Sequence, residues 1–216
     1  MVKHWFRAIV LLLPPAALIS LALPRLVTGL ALDESFPVPA AMESDRSVAQ
    51  EDYRRTGVVL SVASPVDGET QVDRAEALWL SGRDATVVLP VVTQGLVRSP
   101  ASIRGWTVLA QVLQKIEPNR AAEALTIALE LSPYDYSLVG RKTRAGAPLW
   151  NSLPEDARNQ LVAQARLLWS HDEMRPQVLS LVAVPGGADL MTRALSDPDT
   201  IRAVNRYVTR SRRGSP

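Results

Sequence analysis

Apolar residues recur at helical spacing along most of the chain after residue 45. The clearest pattern spans residues 101–133, where two apolar faces are separated by Glu117-Pro118-Asn119, which predicts a turn. The first face consists of Ile103, Trp106, Leu109, Ala110 and Leu113, and the second of Ala121, Leu125 and Ala128. This unit of 33 residues is therefore predicted to be a helix-turn-helix.

Weaker helical patterns flank this unit on both sides. They predict helices at residues 45–63, 73–81, 84–98, 136–150, 155–170, 176–184, 188–195 and 198–210. The stretch VVLSVA at residues 58–63 would also suit a short strand, but the surrounding spacing favours a helix. Pro90 is expected to kink the helix at 84–98. The predicted fold class is all-α, with paired helices in an array over residues 45–216.

The dipeptide Ser-Pro occurs at Ser64-Pro65, Ser99-Pro100 and Ser132-Pro133, at intervals of 35 and 33 residues. Proline disfavours the helical conformation of the residue before it, so each serine is expected to end a helix. Because proline suits the first position of a helix and serine the N-cap, each dipeptide is also expected to start the next helix. Asp67 and Asp135 follow two of the serines by three residues, as in a capping box. The dipeptides therefore predict the joints of a repeating unit.

The N-terminus carries Lys3 and Arg7, and residues 8–23 that follow contain no charged side chain. Residues 1–32 are therefore expected to be a signal anchor or a cleaved signal peptide, and residues 33–44, acidic and proline-containing, a linker. By the positive-inside rule, the rest of the chain lies outside the cytoplasm. The sequence predicts a single-pass protein of the bacterial inner membrane with a periplasmic C-terminal domain, or an exported periplasmic protein if the segment is cleaved.

Composition excludes several classes of function. The 24 basic and 22 acidic residues are interspersed along the chain and give a formal net charge of +2, so nucleic-acid binding is not expected. The chain has no cysteine, which rules out disulfides, thiolate metal ligands and a cysteine nucleophile.

Candidate catalytic residues are few. The chain has two histidines, His4 near the N-terminus and His171, which is followed by Asp172 and Glu173. A general-base or metal site at His171 would need further converging ligands, and a histidine at a helix C-terminus already has a favourable interaction with the helix dipole. The sequence therefore predicts no catalytic residue, metal or cofactor, with an enzyme using His171 as the alternative.

The unit at residues 101–133 resembles the tetratricopeptide repeat. The matching positions are Trp106, Leu109, Ala110, Leu113, Ala121, Leu125, Ala128 and Pro133, if the turn is one residue short. Ala110 stands where glycine is common and Leu113 where tyrosine is common. The resemblance assigns Trp79, Trp106, Trp150 and Trp169 to packing.

The array and the exported N-terminus also resemble small membrane-anchored accessory proteins of bacterial exopolysaccharide and envelope-polysaccharide assembly. The stretch ALELSPYDYSLVGRKTRAGAPLWNSLPEDARNQLVAQARLLW carries this second likeness. It implies a non-enzymatic scaffold or assembly factor that binds an envelope protein partner. The alternative is an accessory subunit of another membrane complex.

In a tetratricopeptide-like array, the first helix of each pair lines the concave groove. The resemblance therefore implies a groove formed by Arg104, Thr107, Gln111 and Lys115, continued by Arg144. This face is polar and basic, which would suit an acidic partner segment, an anionic glycan or a phosphorylated lipid headgroup. A solvated helix face is the alternative interpretation.

Overall fold

The computed structural model describes residues 49–63, 67–133, 135, 137–195, 197, 198, 201, 202 and 204. Within these residues the chain is all-α: it forms nine α-helices and two short 3₁₀ helices, and no β-strand. The α-helices are α1 (Gln50–Ala63), α2 (Gly68–Leu80), α3 (Ala85–Arg98), α4 (Ile103–Leu113), α5 (Pro118–Leu131), α6 (Val139–Gly146), α7 (Glu155–Ser170), α8 (Arg175–Leu181) and α9 (Gly187–Ala194).

The predicted membrane segment at 1–32 and the linker at 33–44 lie outside the described residues. Among the helices of the described part, none is both long enough and apolar enough to cross a bilayer.

Each helix packs on the next one along the chain, and α2 also contacts α4, as α4 contacts α6. The chain thus forms a first helical pair (α2 and α3), a second (α4 and α5) and a third (α6 and α7). The first helices of the three pairs begin at residues 68, 103 and 139, which are 35 and 36 residues apart. The periodicity of the Ser-Pro dipeptides therefore reflects a real periodicity of helices. Helices α8 and α9 both pack on α7.

The core consists of two hydrophobic clusters that meet at the second helical pair. One cluster buries side chains of α2, α3 and α4, and the other extends from α4 to α9 and beyond it to Val204. Trp106 is partly buried and packs against both clusters, and its Nε1 donates a hydrogen bond to the carbonyl of Pro100 at 2.8 Å. The packing role predicted for this indole is confirmed. Trp150 is buried, and Trp79 and Trp169 are partly buried against the clusters.

The Ser-Pro dipeptides end helices but do not start them. Ser99 is the C-cap of α3 and Ser132 is the C-cap of α5, as predicted. The predicted start of the next helix is wrong, because α4 is N-capped by Ser102. The amide of Ser102 donates to the carbonyl of Ser99 at 3.0 Å, which closes a turn with Pro100 at its second position. The proline is therefore used in a turn that separates two helices.

Helix α6 differs from its prediction at both ends. It begins at Val139, and the predicted continuation to residue 150 becomes a 3₁₀ helix at Ala147–Leu149. Pro148 accounts for this change, because proline removes an amide donor and clashes with the preceding helical turn. In contrast, α7 spans Glu155–Ser170, the range predicted from its pattern. Ser64-Pro65 and Tyr136 lie outside the described residues.

Two aspartates at helix starts allow a controlled test of capping. Asp67 is the N-cap of α2, and its Oδ2 accepts hydrogen bonds from the amide and the hydroxyl of Thr70 at 2.9 and 2.6 Å. Asp84 is the N-cap of α3, but its side chain makes no capping hydrogen bond. We expect Asp67→Ala to lower the free energy of unfolding by about 0.5–2 kcal/mol in urea denaturation, and Asp84→Ala to lower it less. Equal losses in the two variants would contradict the assignment of Asp67 as the functional cap.

Candidate functional site

The five residues predicted to line a groove occupy different environments. Arg104 is half-buried and engaged with acidic side chains, as described below. Thr107 is only 1% exposed, and its hydroxyl donates to the carbonyl of Ile103 at 2.9 Å, so it does not face solvent. Gln111 and Arg144 are half-buried, and Lys115 is exposed just beyond the end of α4. These residues therefore do not form one continuous exposed basic surface.

An open cavity of about 460 Å³ lies beside Arg104. It is formed by α2, the start of α4 and the connection between α5 and α6. Its lining residues are Glu69, Asp73, Ala101, Ser102, Ile103, Arg104, Asp135, Ser137 and Leu138. Three acidic side chains and one basic side chain thus contribute to its walls.

The basic side chain of the cavity is paired with an acidic neighbour. Nη1 of Arg104 lies 2.5 Å from Oδ1 of Asp73, and Nε lies 3.9 Å from Oε2 of Glu76. Burial raises the pKa of Asp73, and the positive charge of Arg104 opposes this rise. At the cavity, the expected basic character does not hold, because acidic groups surround the guanidinium.

The hydroxyl of Ser102 links the two helices that form the cavity. It donates to Oε2 of Glu69 on α2 at 2.9 Å and accepts from the amide of Gly105 at 3.2 Å. A carboxylate of the first helical pair is therefore held at the N-terminus of α4, where negative charge is favourable.

A buried ion pair lies one helical turn beyond the cavity. Nη1 of Arg141 on α6 donates to Oε1 of Glu76 on α2, across 65 residues of sequence. Glu76 is 5% exposed and Arg141 is 8% exposed. Sequence reasoning missed this pair, although a signal existed: Glu76 shares its helical face with the apolar Val72 and Trp79. A charged residue on such a face is rarely buried without a partner.

The joint at Ser132-Pro133 is held by two side chains from the third helical pair. Nζ of Lys142, which is fully buried, donates to the carbonyl of Ser132. Nε2 of Gln164 donates to the carbonyl of Pro133 at 3.0 Å. Burial lowers the pKa of Lys142, and the nearby charge of Asp135 acts in the opposite direction. Carbonyl groups at the end of α5 are thereby satisfied from α6 and α7.

Lys142 should make stability depend on pH in the alkaline range. Its pKa in the folded chain is lowered from the ordinary 10.5, so the unfolded chain binds more protons between the two values. Stability from this group should therefore rise as pH increases through the folded pKa towards 10.5. We expect Lys142→Met to remove this rise in urea denaturation series between about pH 8 and 10.5. Lys115→Met, a change of an exposed lysine, is the control and should retain it.

His171 does not belong to a metal centre in the described part of the chain. It is the C-cap of α7, its amide donates to the carbonyl of Leu168 at 3.3 Å, and its side chain is half-buried. Asp172 pairs with Arg175 at 2.7 Å. Among the described residues, no three histidine, aspartate or glutamate side chains converge in a way that would hold a metal ion.

Comparisons with protein-family models, with curated proteins and with solved structures found no match to this chain.

Proposed function

We propose that this chain is a non-enzymatic scaffold of the bacterial envelope that binds a protein partner on a tetratricopeptide-like stack of helical hairpins. The observation that carries this proposal is the contact of α2 with α4 and of α4 with α6, in addition to the contacts within each pair. In helical-repeat arrays, stacked units contact their neighbours in this way and offer an extended surface for binding.

The open cavity beside Arg104 is the proposed docking position on this surface. It is formed by the first helices of two pairs and by the connection leading to the first helix of the third. Its volume of about 460 Å³ is sufficient for one or more side chains of a partner. Glu69, Asp73 and Asp135 make it less suited to an anionic glycan or lipid headgroup than the sequence alone indicated, so a protein segment is favoured.

The location and the pathway of this proposal rest on the sequence. The apolar N-terminal segment and the positive charges before it support export to the periplasmic side of the inner membrane. The resemblance to accessory proteins of envelope-polysaccharide assembly supports a role in the synthesis or export of such a polymer.

Site-specific photocrosslinking in intact cells tests the proposed docking position. A photoreactive amino acid would replace Ala101, which is exposed and lines the cavity, in the full-length chain. The control position is Ala163, which is exposed on α7 outside this cavity. We expect a crosslinked product of discrete mass from position 101 and none of that mass from position 163. Absence of the product at 101, or an equal yield at both positions, would contradict docking at the cavity.

A further inference from the structure

We infer that Glu76 and Arg141 are positioning residues, which fix the third helical pair relative to the first and thereby set the shape of the cavity. Their ion pair joins α2 to α6, the first helices of these two pairs. Both side chains are less than 10% exposed, so a partner in the cavity would not touch them directly. This inference concerns the control of the proposed binding site and rests on that proposed function.

The positions of the two residues on their helices connect them to the cavity walls. Glu76 follows Asp73 by one helical turn on the same face of α2, and Glu69 precedes Asp73 by one turn. Arg141 lies in the first turn of α6, directly after the connection that supplies Asp135 and Leu138 to the cavity. Holding Arg141 therefore holds the start of α6 and the cavity wall that precedes it.

Arg104 couples this buried pair to the open cavity. Its guanidinium contacts Asp73 in the cavity wall and approaches Glu76 at 3.9 Å. The three first helices α2, α4 and α6 are therefore joined by one network of charged side chains. A change at the buried end of this network should alter the arrangement of the helices that form the cavity.

A buried ion pair of this kind specifies geometry more than it adds stability. Desolvation of two charges offsets much of their attraction, and apolar replacements of similar volume are often no less stable. Such replacements lack the directional hydrogen bonds that select one arrangement of the helices. We therefore expect charge removal to leave the helices folded but their relative position less well defined.

Distance measurements between spin labels test this inference without any partner. Because the chain has no cysteine, Gln94→Cys on α3 and Ala163→Cys on α7 would place labels only on the first and third pairs. Both positions are exposed. The full-length chain, purified in detergent, would be compared with Glu76→Gln and with the double variant Glu76→Leu/Arg141→Met. The control is Glu117→Gln, which alters the exposed ion pair with Arg120.

We expect a single narrow distance distribution for the parent and for the control, and a broader distribution with a shifted mean for both charge-removed variants. A narrow, unshifted distribution in a folded variant would overturn the inference. Loss of the helical circular dichroism signal in both variants would also overturn it, because the pair would then be required for folding itself. If the distribution broadens but position 101 yields no crosslink, the proposed function fails and the positioning role stands.

Discussion

Replacing Arg141 by methionine is expected to lower the free energy of unfolding by about 3–5 kcal/mol. The change removes the hydrogen-bonding partner of Glu76 Oε1 at a site where the carboxylate is 5% exposed. The penalty arises from a buried charge that has lost its main compensation. Urea denaturation followed by circular dichroism would measure the effect.

A second substitution separates this penalty from a loss of packing. Adding Glu76→Leu to Arg141→Met removes the buried carboxylate, so the double variant should recover most of the lost stability. Arg120→Met serves as the control, because its ion pair with Glu117 is exposed and should contribute about 1 kcal/mol or less. A double variant as unstable as Arg141→Met would contradict this explanation.

Leu125→Ala is expected to destabilise the chain by about 2–5 kcal/mol, because it opens a cavity in the larger hydrophobic cluster. Leu125 is fully buried on α5. It packs beside Gly146 of α6, where an added Cβ would lie 3.1 Å from Leu125 Cδ2. The leucine therefore fills a space at which the second and third helical pairs meet. Thermal and urea unfolding would both report the loss.

Leu131→Ala on the same helix provides the matched control. Leu131 is 44% exposed, so the same substitution removes fewer contacts and leaves no enclosed cavity. Its cost should be clearly smaller than that of Leu125→Ala. Equal costs at the two positions would mean that α5 is not anchored in the core in the way described.

The helices were predictable where apolar spacing and helix-ending residues agree. The pattern from Glu155 to Ser170 follows a break at Leu153-Pro154, and α7 occupies that range. The serines of the Ser-Pro dipeptides correctly predicted the ends of α3 and α5. The helix starts were not predictable from the same dipeptides, because Ser102 competes as an N-cap and offers a side-chain acceptor to Gly105.

The candidate site was less predictable, because it depends on contacts between distant residues. Helical spacing placed Arg104 on a polar face but contained no information about Asp73, which lies 31 positions earlier and pairs with it. For the same reason, a basic surface was expected where an acid-rich cavity occurs. Thr107 was assigned to that surface from its spacing alone, whereas packing of α4 against its neighbours buries it.

The contact between Glu76 and Arg141 has a consequence for how the chain acquires its structure during synthesis. Stacked repeats usually gain stability from adjacent units alone, and folding then propagates stepwise. Here a carboxylate made early waits for a guanidinium encoded 65 residues later. The nascent first pair should therefore remain loosely ordered until α6 has left the ribosome, after which the three pairs are expected to consolidate, and later to melt, as one cooperative unit.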